Sequence, residues 1–489
     1  MNNTVTPDGQ TLFQPRFGFN YALDAAAKEK SQIRGGFGLF QGAAASVWLA
    51  NPYSNTGLAT RTYGCGTSVF SSCGTLTGLF SADPANQPTN ISTAQPAANV
   101  DFLDPKLTQP AVWKMNLAYE TQLPFGGLVA GAEVMATKNK AAVYYKHLNL
   151  GAPTAKGAAD GRELYYTPKG LDPACWNAST GGLNTSATGC GGDWGARNRA
   201  LSNPAFANVT QATQTDVGGA NTVTLSLTKP ANDGFGWQVA YSRQSATDAS
   251  PLSSSVANSN FNSRATFNPN EEVEANSAYL VKERMTGSIN WSKAFFGNRK
   301  TTVGLFYEGR VGKPYSWVYK NDMNGDGVGG NDLMYIPKAP GSGEVLFFGA
   351  DAAAKAATEA AFWAVVDANK VLGDAKGGVA GRNSAFSDTV HSFDVRLSQE
   401  LDGFSPKHKS TFILDIFNVG NLLNRDWGRT TEALFQSGGG NRRGFVNFAG
   451  IDPATGKYIY AVSSMEEMAI KQNALESQWA LQATWKYEF

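Results

Sequence analysis

Apolar and polar side chains take turns along most of this chain. At its end, Trp479, Leu481, Ala483, Trp485, Tyr487 and Phe489 occupy alternate positions, with Ala480, Gln482, Thr484, Lys486 and Glu488 between them. A repeat of two puts successive side chains on opposite faces of a β-strand. The pattern recurs upstream. Phe17, Phe19, Tyr21 and Leu23 oppose Arg16, Gly18 and Asn20, and Ile33, Phe37 and Leu39 share a face of the next strand. Trp113, Met115, Leu117 and Tyr119 oppose Lys114, Asn116, Glu120 and Gln122. Val223, Leu225 and Leu227 lead to Phe235, Trp237, Val239 and Tyr241. Met285, Ile289 and Trp291 lead to Val303, Leu305, Tyr307 and Val311. Phe393, Val395, Leu397 and Leu401 lead to Phe412, Leu414 and Ile416. Weaker strands are predicted over 128–137 and 142–150.

The predicted strands come in pairs. Short breaks over 123–127, 230–234, 294–299 and 404–409 join partners. Long polar stretches separate the pairs, over 42–110, 151–205, 245–275, 315–385 and 425–475. The fourth holds the one strong helical stretch, 350–372, rich in Ala, Lys and Glu. In all, about thirteen strands of roughly ten residues are predicted, the length that crosses a bilayer. A soluble meander also alternates. Alternating short turns with long loops, and aromatics at strand ends, favours an all-β antiparallel transmembrane β-barrel with long extracellular loops. The pattern supplies about 12–14 such strands. On this reading Trp485, Tyr487 and Phe489 form a terminal barrel-assembly signal.

Composition narrows the classes. The 489 residues carry a net charge of +1, so no broad field steers the chain toward nucleic acid. Charged residues are 17%, Gly numbers 53, and mean hydropathy is −0.28. No apolar run is long enough for a helical span, whereas barrel strands need only one apolar face. The first nine residues have neither a basic start nor an apolar segment, so no signal peptide is expected.

The four cysteines form two local pairs, Cys65/Cys73 and Cys175/Cys190, in loop-like stretches. An even count in such stretches favours disulfides in an oxidising compartment. Local pairing is the choice among three connectivities, because short loops close at little entropic cost.

One segment carries candidate chemistry. Asp322, Asn324 and Asp326 have the 1,3,5 oxygen spacing of a calcium loop, with Gly327 at the turn position. Leu333 stands where an EF-hand has its bidentate Glu, and Asp332 is the candidate substitute. The competing reading is an Asx-rich turn in an extracellular loop. No cofactor is required beyond this candidate structural Ca2+. Gly325-Asp-Gly-Val-Gly-Gly330 also matches Gly-x-Gly-x-x-Gly, but no strand–helix context surrounds it and its carboxylates repel phosphate. Arg442 and Arg443 read as an exposed loop pair. Arg310 and Arg396 read as lumen-side charges that are solvated or paired. No catalytic constellation is present, and no enzyme is expected.

Several stretches carry a family resemblance. They are Pro15-Arg-Phe-Gly-Phe-Asn-Tyr-Ala-Leu23, Gln32-Ile-Arg-Gly-Gly-Phe-Gly-Leu-Phe-Gln-Gly42, Val47-Trp-Leu-Ala-Asn51, Tyr144-Tyr-Lys-His-Leu-Asn-Leu-Gly151, Asn331-Asp-Leu-Met-Tyr-Ile-Pro337 and Phe412-Ile-Leu-Asp-Ile-Phe-Asn-Val-Gly-Asn-Leu-Leu-Asn424. Together they resemble the barrel of TonB-dependent outer-membrane receptors, most closely the Oar-like group. The resemblance implies a place in the bacterial outer membrane and uptake of an unknown extracellular substrate by the intact receptor. It implies outer-membrane lipid and the barrel-assembly machinery as partners, and no nucleic acid. Residues 1–489 are then expected to be the C-terminal portion of a larger barrel, about 12–14 of its strands, with plug, TonB box and signal peptide absent. Contact with the TonB complex would run through that missing N-terminal region. The alternative is a passive pore or surface-adhesion barrel.

Overall fold

The computed structural model describes residues 7–23, 30–57, 83–86, 97–184, 187, 190, 200–433, 441–465 and 475–489. Eleven strands form one continuous antiparallel wall. They are β1 (Arg16–Ala22), β2 (Ser31–Gln41), β3 (Ala111–Gln122), β4 (Val129–His147), β5 (Gly218–Asn232) and β6 (Phe235–Asp248). Then follow β7 (Glu283–Phe296), β8 (Arg299–Arg310), β9 (Val390–Asp402), β10 (Lys409–Phe417) and β11 (Ala480–Glu488). Each pairs with its sequence neighbours, as an up-and-down wall requires. Three further strands off this path bring the sheet to 14; the wall itself has eleven, because the strands predicted over 128–137 and 142–150 are one, β4. Among the described residues β1 and β11 do not pair, so the sheet is open.

Register lines the apolar positions up across the whole wall. Phe17 faces Phe37, which faces Met115, and Leu117 faces Val134, which faces Val223. Leu225 faces Tyr241, then Met285; Leu305 faces Val395, then Ile416, then Leu481. Most of these large side chains are exposed, Phe17 at 58% and Leu225 at 55%. A band of this extent would drive aggregation in water. Facing hydrocarbon, it is the expected outer surface of a barrel.

The two ends of the wall differ. At one end partners meet in tight turns. Asp233 and Gly234 make the β5–β6 turn, both at positive φ, the conformation a two-residue hairpin needs. A Cβ on Gly234 would lie 2.1 Å from the Ser292 carbonyl oxygen, so the turn accepts only glycine there. At the other end, the five long connections fold together into a cap. Its main core joins Leu164, Tyr166 and Trp176 to Tyr315, Trp317, Tyr319 and Met334, and to Phe445, Phe448 and Tyr460. These come from the connections after β4, β8 and β10. A second core joins Leu103, Leu107, Tyr145 and Phe261, bringing in the connections after β2 and β6.

The cap departs from the loop-like expectation. Helix Ser46–Ser54 is held by Trp48 and Asn51, whose side chains donate to the carbonyls of Ser254 and Ser255. Residues 142–147 continue β4 above the membrane-length wall and pair with Phe206–Thr215, a strand too polar to be predicted. The 425–475 stretch contains a hairpin, Val446–Ile451 with Tyr458–Val462. Val446, Asn447, Phe448 and Ala449 are buried in succession there, as are Tyr460 and Ala461, and burial on both faces erases the alternation that marks a half-buried strand. The predicted helix breaks at Asn369 into Ala352–Ala368 and Lys370–Asp374, because the Asn369 side chain caps the second piece.

Candidate cation-binding loop

The 322–332 segment lies in the middle of the cap, not on its surface. Asp322, Asn324, Asp326, Asn331 and Asp332 are all buried. The local geometry is built from side-chain-to-backbone turns, as in an Asx-rich turn, but the turn is interior to the cap. Asp322 accepts hydrogen bonds from the backbone N–H of Gly325 (2.7 Å) and Gly327 (2.8 Å). Asn324 Oδ1 accepts from Asp326 N (2.8 Å), and Asp326 Oδ1 from Val328 N (2.7 Å). Asn331 Nδ2 donates to Asp326 Oδ2 (3.1 Å), and Asp332 Oδ2 accepts from Met323 N (2.8 Å) and Asn324 N (3.3 Å). Gly325 and Gly327 both sit at positive φ, and a Cβ on Gly325 would meet the Tyr166 nitrogen at 2.7 Å.

Distant segments enclose this loop. The Asn324 carbonyl accepts from Tyr165 N (2.7 Å), and the Asp322 carbonyl accepts from the Tyr166 hydroxyl (2.7 Å). Thr266 N donates to the Asn331 carbonyl, and Leu333 N donates to the Thr266 carbonyl, both at 2.9 Å. Arg162, fully buried, pairs with Asp160 at 3.1 Å and with Asp332 at 3.5 Å. It also donates to the Leu333 carbonyl and lies over the rings of Phe267 and Tyr319. The Tyr458 hydroxyl donates to Asp160 Oδ1 (2.7 Å).

Electrostatics follow from burial. Loss of water pushes the Asp332 carboxyl up to about 7; the Asp326 charge adds to this and the Arg162 guanidinium opposes it. Burial and the charges of Asp326 and Asp332 also drive Asp322 well above the usual carboxylate range. Burial pulls Arg442 down to about 10 against the attraction of Asp326 and Asp332.

Other predicted residues fall as follows. Cys175 and Cys190 form a disulfide within the cap core, with Cα atoms 5.3 Å apart. Cys65 and Cys73 lie outside the described residues. Arg442 and Arg443 are not an exposed pair: they form a short strand beside Pro314–Trp317. Arg442 donates to the Asn262 carbonyl (3.1 Å) and Arg443 lies over Tyr315 and Trp317, so a hydrogen bond holds the first inward and aromatic packing the second. Trp485 and Tyr487 lie on β11, and Phe489 ends the chain almost fully exposed.

The face of the wall opposite the apolar band is polar and cross-bonded. Glu120 takes Gln32 (2.6 Å) and Arg34 (3.3 Å), Arg284 pairs with Glu308 (2.7 Å), and Arg396 holds Asp415 through two nitrogens (2.6 and 3.0 Å). Arg310 reaches up to the buried Glu432, bonding wall to cap. Sequence spacing identified the loop's own oxygens. It did not reveal Asp160, Arg162 or Arg442, which carry no local signal and arrive from segments far along the chain.

A family model described as an outer membrane beta barrel domain matches residues 1–437. No curated protein matches the chain.

Proposed function

The chain belongs to the outer membrane beta-barrel domain family and resides in the bacterial outer membrane; from that premise we propose that it supplies the wall and extracellular loops of a TonB-dependent receptor of the Oar-like kind. The observation that carries the reading is the cap. Five connections fold around shared cores above a hydrogen-bonded polar face, and Arg310–Glu432 bonds the two layers. A folded cap suits selective capture of a scarce substrate. Free diffusion would be served by short loops and an open mouth. In this reading the barrel-assembly machinery inserts the wall, the cap selects the substrate, and energy enters through the TonB complex acting on other parts of the receptor.

The test is uptake by the native host from a radiolabelled mixture of oligopeptides, oligosaccharides and iron chelates. Deleting the gene should abolish accumulation of at least one component. Collapsing the proton-motive force should abolish the same accumulation. Uptake that persists after the collapse would identify a passive pore instead.

A further inference from the structure

We propose that the 322–332 loop binds one calcium ion and that the ion locks the cap. Three observations, separate from the uptake reading, point there. First, the oxygens at positions 1, 3 and 5 are joined in space by Asn331 and Asp332. The set is all oxygen, the preference of a hard cation.

Second, the loop holds two buried acceptor oxygens that no hydrogen bond satisfies, Asp332 Oδ1 and Asn331 Oδ1, on residues no more than 1% exposed. Buried polar atoms in folded proteins nearly always have partners. Asp332 Oδ1 has only the Arg162 guanidinium at 3.5 Å. The Asn331 amide stands against Asp326. Turned about, it would set its carbonyl oxygen against that carboxylate, an arrangement a cation between them would stabilise.

Third, three carboxyl side chains are buried together in this one short loop, Asp322, Asp326 and Asp332, and the last of them lies 3.5 Å from Arg162.

Among the described residues no three Asp, Glu, His or Cys side chains stand as a group that could hold a metal ion, so the carboxylates by themselves make no site and amide oxygens must contribute. The donor set is therefore mixed, with carboxylates from Asp322, Asp326 and Asp332 and amide oxygens from Asn324 and Asn331. Such a set, in a loop rich in glycine, fits calcium's variable coordination better than magnesium, which demands octahedral geometry and keeps its waters. Because the loop meets the segments near residues 162 and 266, an ion there would tie the connections after β4 and β6 to the loop's own.

The test uses the full chain purified in detergent, freed of lipopolysaccharide and selected for a cap that resists mild protease, a property that does not depend on closure of the wall. Terbium chloride is added, with excitation through tyrosine, since the Tyr166 hydroxyl is bonded to the Asp322 carbonyl at 2.7 Å. Saturable emission at one ion per chain is expected, displaced by calcium and at least tenfold less by magnesium. Asp326→Asn should weaken binding at least tenfold. Asn324→Asp separates lost ligation from lost folding, because it should tighten binding several-fold, a gain that misfolding cannot produce. No emission from the wild type, emission unaffected by Asp326→Asn, or no gain with Asn324→Asp would each overturn the proposal.

Discussion

Arg162 ties the acidic loop to its surroundings in the cap. Its guanidinium meets Asp160 and Asp332, caps the Leu333 carbonyl and lies over two rings. Removing one partner of a buried ion pair strands the other charge, which costs about 3–5 kcal/mol. Arg162→Met should therefore make the cap susceptible to mild protease while the wall stays protected; equal protection of both would contradict the assigned role. Gly234 is the corresponding point in the wall. Alanine there demands positive φ and a clash with the Ser292 carbonyl, a penalty above about 1 kcal/mol. Gly234→Ala should lower the yield of assembled protein, whereas the open position at Gly297 gives Gly297→Ala only the φ penalty. Comparing the assembled fractions of the two variants checks this.

At the scale of elements, β11 illustrates how a short alternating segment is fixed at its end. Tyr487 accepts the Phe404 N–H (2.9 Å), bonds His408 Nδ1 (2.7 Å) and packs on the Phe404 ring, so strand and preceding turn are joined. Trp485 Nε1 donates to Ser410 Oγ across the pair (2.8 Å). Tyr487→Phe keeps the ring and loses these bonds, a cost of about 1 kcal/mol, read as a lower unfolding midpoint in urea. The Cys175–Cys190 bridge plays the same part for the connection after β4. It closes a 15-residue separation within the main core. Replacing both cysteines with serine should cost the cap about 2–4 kcal/mol, detected as faster proteolysis near residues 165–190. Protection identical to the oxidised wild type would count against it.

For the whole molecule, the decisive property is the contrast between the two faces of one sheet. An apolar band runs across eleven strands, and a cross-bonded polar face lies behind it. The outer edges of β1 and β11 leave backbone groups without strand partners among the described residues. In hydrocarbon each such group costs several kcal/mol. This chain expressed alone should thus lack the fast-migrating, heat-modifiable gel band of a closed barrel; that band would show that its edges find partners.

Most of the wall was legible in the sequence because its strands are half-buried. One face meets lipid and the other meets water, so every second residue reports its environment directly, as Trp113 to Tyr119 and Trp479 to Phe489 do. The oxygen spacing of Asp322, Asn324 and Asp326 was legible for a similar reason, since one short loop contains it. The cap was not. Its strands are buried on both faces, as at Phe448 and Ala449 or Tyr460 and Ala461, so they lack a period. The residues that enclose the acidic loop, Arg162 and Arg442, lie 160 and 120 positions or so from Asp322, roughly the spans over which only folding can create neighbours. Local patterning thus determined the strands, their facing and the membrane setting. Tertiary packing alone decided that the long loops are one folded body and that its acidic loop is interior, because desolvation and charge pairing depend on which distant segments meet.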